Sequence, residues 1–183
     1  MRVMTPILNS VVASLIAGGA FAQASGDGLD DLYDTLRTAP PELADAIETQ
    51  IWEEWSDSGS AALDVLLERG REALRDGDVD AAIRHFTALV DWAPGFAEAW
   101  NGRATAYFQA DLYGPAMADI REALRLNPRH FGAMSGLAWI LEETGKPDQA
   151  LAVWREVLAL HPHADGAEDA LRRLAVSVEG TDI

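Results

Sequence analysis

The sequence predicts an all-α protein, a solenoid of stacked helical hairpins, and three observations carry that expectation. First, proline and apolar residues recur in register at a spacing of 34: Pro94, Pro128 and Pro162; Ala82, Ala116 and Ala150; Phe86, Ile120 and Trp154; Leu89, Ala123 and Val157; Trp92, Leu126 and Leu160. A period of this length is one helix–turn–helix unit of an array. Second, the apolar residues inside one period fall three to four apart in two runs. They are Trp100, Ala104, Tyr107 and Ala110, then Ala116, Ile120, Ala123, Leu124 and Leu126, with Pro128 ending the second run. That is the pattern of two amphipathic helices and a stop. Third, the 183 residues contain no cysteine, so stability rests on packing alone.

The chain opens with one basic residue, Arg2, and an apolar run from Ile7 to Ala22 broken only by Asn9, Ser10 and Ser14. Ala20-Phe21-Ala22 before Gln23 supplies small residues at a cleavage site. Residues 1–22 therefore read as a secretory signal peptide cut after Ala22. A run of about 16 residues with polar interruptions is short for a membrane span. The expected address is the periplasm, with no stable membrane insertion after cleavage.

Residues 27–57 carry ten acidic side chains against Arg37 alone. Leu29, Leu32, Tyr33 and Leu36 nevertheless form one helical stripe, and Leu43, Ile47, Ile51 and Trp55 form another, with Trp52 nearby. Pro40-Pro41 divides them, and Pro41 suits the first turn of a helix. This is an acidic N-terminal helical hairpin. It is not a further copy of the repeat, because sliding back by 34 puts Glu48 where the small alanine belongs. Its two readings are a cap with a solvated acidic face and a docking surface for a basic partner.

Ser56 to Ser60 is a turn-rich joint. Three repeats follow, at residues 63–96, 97–130 and 131–162. Two helices joined by a few residues pack antiparallel. Ala104 and Ala116 are small enough for a close crossing, with Trp100, Tyr107 and Ile120 filling the space beside it. No single hairpin buries its own apolar face, so the copies must stack. Residues 163–176 close the array: Ala170, Leu171 and Leu174 face inward and Glu168, Asp169, Arg172 and Arg173 outward, as a capping helix requires.

The repeats resemble the tetratricopeptide repeat (TPR) family over about 100 residues. In windows starting at Leu63, Ala97 and Phe131, the family's small eighth position is met by Gly70, Ala104 and Ala138, and its small twentieth by Ala82, Ala116 and Ala150. Trp100 and Tyr107 match its fourth and eleventh positions in the middle copy. Departures are Ala73 at the eleventh position of the first copy, Asp111 where Gly77 and Gly145 stand in the other turns, and Arg69 and Arg103 in place of aliphatic residues. The resemblance implies a concave groove lined by the second, fifth, ninth and twelfth residues of each first helix. The candidate partner-binding residues on that stripe are Leu67, Arg71, Leu74, Asn101, Thr105, Phe108, Ser135, Trp139 and Glu142, alongside Asp64, Glu98 and Gly132. The family's clamp for a terminal carboxylate is not matched, since Leu67, Arg71 and Thr105 stand at positions it needs.

Other chemistry fails on inspection. Asp76-Gly77-Asp78-Val79-Asp80 imitates a calcium loop, but Ala81 and Thr87 occupy the places of its glycine and bidentate glutamate. The segment reads instead as helix punctuation, Gly77 ending one helix and Asp78 capping the next. Ser135 between Gly132 and Gly136 is one place late for a nucleophile elbow. His85, His130, His161 and His163 read as loop and helix-end histidines, with no third metal ligand near His161 and His163. No catalytic, metal-binding or cofactor-binding residue is assigned, and the protein reads as non-enzymatic. A net charge of −16 excludes nucleic acid as a partner and disfavours an anionic membrane surface.

The expected function is a protein–protein interaction scaffold or adaptor of the bacterial cell envelope. It would take a peptide segment of another protein, basic in one version, into the groove as a monomer or homodimer. The alternative is a structural or self-associating envelope protein whose groove is covered by its own N-terminal hairpin or by a second copy.

Overall fold

The computed structural model describes residues 19–179, with side-chain environments for residues 28–176. The leader expected over residues 1–22 lies outside the described residues as far as residue 18. Nine helices and no strand occur among the described residues: α1 (Gly19–Thr38), α2 (Pro41–Ser56), α3 (Ala61–Arg75), α4 (Val79–Trp92), α5 (Ala97–Gln109), α6 (Tyr113–Leu126), α7 (Phe131–Glu143), α8 (Pro147–Leu160) and α9 (Ala167–Glu179). Helices α3 to α8 are the three predicted hairpins. The first helices touch one another, α3 on α5 and α5 on α7, and each second helix wedges between neighbours from outside. The concave face is therefore built from α3, α5 and α7.

Side-chain size explains the stacking. Ala104 and Ala116 are buried together with Ile120, Ala123, Ala133 and Ile140 at the junction of α5, α6 and α7. Phe86 is fully buried in the adjoining cluster with Leu67, Leu89 and Val90. A Cβ added at Gly70 or Gly102 would stand 2.6 and 2.3 Å from its ring, so both positions must stay bare. Trp154 fills the third unit beside Ala138, Ala150 and Val157, and Ala167, Ala170 and Leu174 of α9 close that end. Trp92 departs from its register. It matches Leu126 and Leu160 by spacing and, like them, ends its helix, but it is 80% exposed.

The turns inside the hairpins share one geometry. Gly77 and Gly145 adopt φ of 76° and 69°, and Asp111 takes the same left-handed conformation at 58°. Short polar side chains enter this region at less expense than others, and the Asp111 carboxylate accepts a bond from the Tyr113 hydroxyl at 3.1 Å. Asp78 caps α4 through the Ala81 amide at 2.9 Å.

Arg103, unusual for its position, is explained by its partner. It forms a two-point bond to Asp119 on α6, Nε to Oδ2 at 2.7 Å and Nη2 to Oδ1 at 2.9 Å, with both side chains largely buried. The carboxylate raises the arginine's pKa further above its ordinary value. The guanidinium also lies 5.1 Å from the Trp100 ring centroid.

Candidate functional site

The acidic hairpin α1–α2 lies on the concave side of the array. Beyond their mutual contact, α2 packs on α5 and α1 on α8. Its apolar stripe, Tyr33, Leu36, Ala44, Ile47, Ile51 and Trp55, forms one core with Phe131 of α7, while Asp30, Asp31, Asp34, Glu42, Asp45, Glu53, Glu54 and Asp57 stay exposed. Trp52 and Trp55 make the deepest contacts. Trp55 stacks on the His130 ring at 4.1 Å, lies 4.7 Å from Phe131, and donates from Nε1 to the Tyr33 hydroxyl at 3.1 Å. Burial raises the pKa of that phenol. Trp52 lies directly over Gly132, where an added Cβ would stand 2.6 Å from the indole. Gly132 is thus the stripe position at which the hairpin enters the groove.

Polar contacts secure the same interface. Glu48 Oε2 meets His161 Nε2 at 3.0 Å, and Glu48 Oε1 accepts from Trp52 Nε1 at 3.0 Å. The bond to His161 is the main reason the Glu48 pKa is lowered from the ordinary glutamate value. His163 Nε2 meets the Ala39 carbonyl at 3.1 Å, and Arg129 pairs with Asp30 and lies 4.1 Å from the Tyr33 ring. His130 caps α7 by accepting the Ala133 amide on Nδ1 at 3.2 Å, which leaves Nε2–H to donate to Glu98 Oε2 at 2.8 Å. His130 and His161 do sit at helix ends, but they are buried to 0% and 1% exposure. Sequence reasoning missed that role. The available signal was Glu48, a carboxylate on the inward face of a hairpin that has tryptophans four and seven residues further on.

The predicted stripe divides into four groups. Leu67 is 2% exposed and belongs to the core around Phe86. That corrects its assignment as a groove residue, because the packing of α3 on α4 and α5 takes up its side chain. Arg71, Leu74, Asn101 and Thr105 line a cleft of about 340 Å³ with Trp52, Glu98 and Gly102. Asn101, Thr105, Phe108, Ser135 and Trp139 line an adjoining one of about 220 Å³ over Ala104 and Gly136. Glu142 is drawn toward the end cap, where it accepts from Trp154 Nε1 at 2.8 Å and pairs with Arg173. Thr105 and Ser135 donate to carbonyls of their own helices, Asn101 and Phe131. The open part of the groove thus has an aromatic floor, with Trp139 at 37% exposure, and a polar end at Arg71.

The described residues contain no group of three or more acidic, histidine or cysteine side chains arranged to hold a metal ion. No described helix is long and apolar enough to cross a membrane.

Comparison with known proteins agrees with this geometry. The tetratricopeptide repeat family model matches residues 67–129 and 116–165. A TPR repeat-containing protein of Rhizobium etli is 35% identical over 153 residues, covering 83% of this chain and 75% of that one. Small glutamine-rich tetratricopeptide repeat-containing protein 2 of Saccharomyces cerevisiae is 26% identical over 83% of this chain, which spans 44% of the yeast protein. Among solved structures, the first TPR domain of Spaghetti (RPAP3) bound to the HSP90 peptide SRMEEVD superposes with a TM-score of 0.61. It is 27% identical and covers 64% of this chain and 93% of its own. MamA, at 20% identity, shares the fold across 86% of this chain and 84% of its own, with a TM-score of 0.59.

Proposed function

Because the chain belongs to the tetratricopeptide repeat family, we propose that it is a non-catalytic interaction scaffold that takes a partner's peptide segment into the open half of its groove. The observation that carries this reading is the aromatic floor of Phe108 and Trp139, which lines an open cleft beside the point where Trp52 of the hairpin lies over Gly132. A family relative of similar fold was solved with a peptide, which supports the same use of this surface. In this reading the hairpin is a wall that shortens the groove and fixes where a ligand can start.

The test is to replace Phe108 and Trp139 with alanine. Aromatic anchors commonly contribute 2 kcal/mol or more to binding, about thirtyfold in affinity. Each variant is expected to lose at least that much capture of the native partner in pull-downs, with helix content by circular dichroism unchanged. If both variants retain the partner at wild-type affinity, the groove is not the working surface.

The leader supports an envelope address. The protein isolated from its native host is expected to begin at Gln23 and to lie outside the inner membrane. N-terminal sequencing checks this, and an intact segment from residue 2 to 20 would refute export by cleavage.

A further inference from the structure

We infer that Glu98 sets the specificity of the groove by acting as a built-in counter-ion that rejects anionic peptide ends and selects uncharged segments read through their backbone amides. The inference rests on the peptide-binding role proposed above. Among the described residues, Arg71 is the one cationic side chain lining the two clefts. Its Nη2 donates to Glu98 Oε1 and to Ser56 Oγ, both at 2.9 Å. Glu98 is 3% exposed and is held from two further sides: His130 Nε2 at 2.8 Å, and the Asn101 side-chain amide at 3.4 and 3.5 Å.

A ligand carboxylate that reached Arg71 would share one guanidinium with the Glu98 carboxylate. Two like charges that close, in a cleft walled by Trp52, Leu74 and Phe86, oppose each other's ionisation. The exposed acids of the hairpin and a net charge of −16 repel an anionic peptide before it arrives. A peptide amide meets different conditions. Arg71 keeps N–H groups at Nε and Nη1 with no protein acceptor among the described residues, and its side chain is 28% exposed. Asn101, whose nitrogen faces Glu98, has its carbonyl oxygen left to accept. A donor and an acceptor side by side match the C=O and N–H of an extended backbone, and Phe108 and Trp139 take its apolar side chains.

The experiment uses two peptides and the full mature chain. Both peptides are N-acetylated: one is SRMEEVD with a free C-terminus, and the other is its neutralised form SQMQQVN with a C-terminal amide, in which no charge remains. Affinities are measured at low and moderate salt for wild type, Glu98→Gln and Glu98→Gln with Arg71→Gln. Glutamine keeps an acceptor for His130 and removes the charge. Wild type is expected to hold the neutralised peptide at least tenfold more tightly than the acidic one. Glu98→Gln is expected to gain at least tenfold for the acidic peptide, and Arg71→Gln to abolish that gain. The inference is overturned if wild type binds the acidic peptide as well as the neutral one. It is equally overturned if a folded Glu98→Gln, judged by circular dichroism, shows no gain. If that variant does not fold, the wild-type preference between the two peptides decides alone, and retention of neither then counts against the inference. The alanine variants of Phe108 and Trp139 report separately on the groove as a whole, so a wrong specificity rule and a wrong binding surface give different results.

Discussion

Replacing Trp55 with alanine should lower stability by about 3–5 kcal/mol, the range for removing a large buried aromatic side chain. The figure belongs at the upper end of single-residue effects because several contacts disappear together. Trp55 is 8% exposed; it stacks on His130, packs edge-on against Trp52 at 4.9 Å, covers Phe131 and gives Tyr33 its hydrogen bond. The cavity would open at the seam between hairpin and array. Urea titration should show the loss, and amide exchange should rise over α1 and α2 well before it rises over α5 to α8. An unchanged midpoint would mean that the hairpin is not docked as described.

The second large effect concerns Arg103 and Asp119. Asp119→Ala removes a carboxylate from a mostly buried guanidinium, and breaking one side of such a pair costs about 3–5 kcal/mol because the remaining charge is stranded. Replacing both residues by apolar ones, Arg103→Met with Asp119→Leu, should recover most of that loss, since the desolvation penalty of two charges disappears with them. Thermal or urea midpoints of the single and double variants give the comparison. A double variant as unstable as Asp119→Ala would mean that the pair stabilises the α5–α6 contact through packing and not through charge balance.

How much of this was legible in the sequence differs by feature. The array was legible because its energetics are local and repeated: Ala104 with Ala116, Phe86, and Trp154 each answer a neighbour one helix away. Arg103 was visible as a departure, but Asp119 was not, because sixteen residues and a turn separate them and only the crossing of α5 on α6 turns both inward. The apolar stripes of the hairpin were legible; the surface they cover was not. That surface is made from Phe131, His130 and Gly132, which sit next to the hairpin in space and far from it in the chain. The buried histidines and the partners of Arg71 follow from the same docking. Pattern at a period of 34 cannot encode a contact that occurs once.

A stack of hairpins in which each unit touches only its neighbours melts from its ends, and its stability is close to a sum along a line. This chain is joined differently. His161 meets Glu48 across 113 residues, and His163 meets the Ala39 carbonyl across 124. The first hairpin is therefore fastened to the corner at the end of the last repeat, so it cannot fray without breaking contacts at the far end of the array. Closing so long a loop is slow, since its entropy is lost before the contact is gained. In exchange, opening the first hairpin breaks contacts at both ends of the repeats.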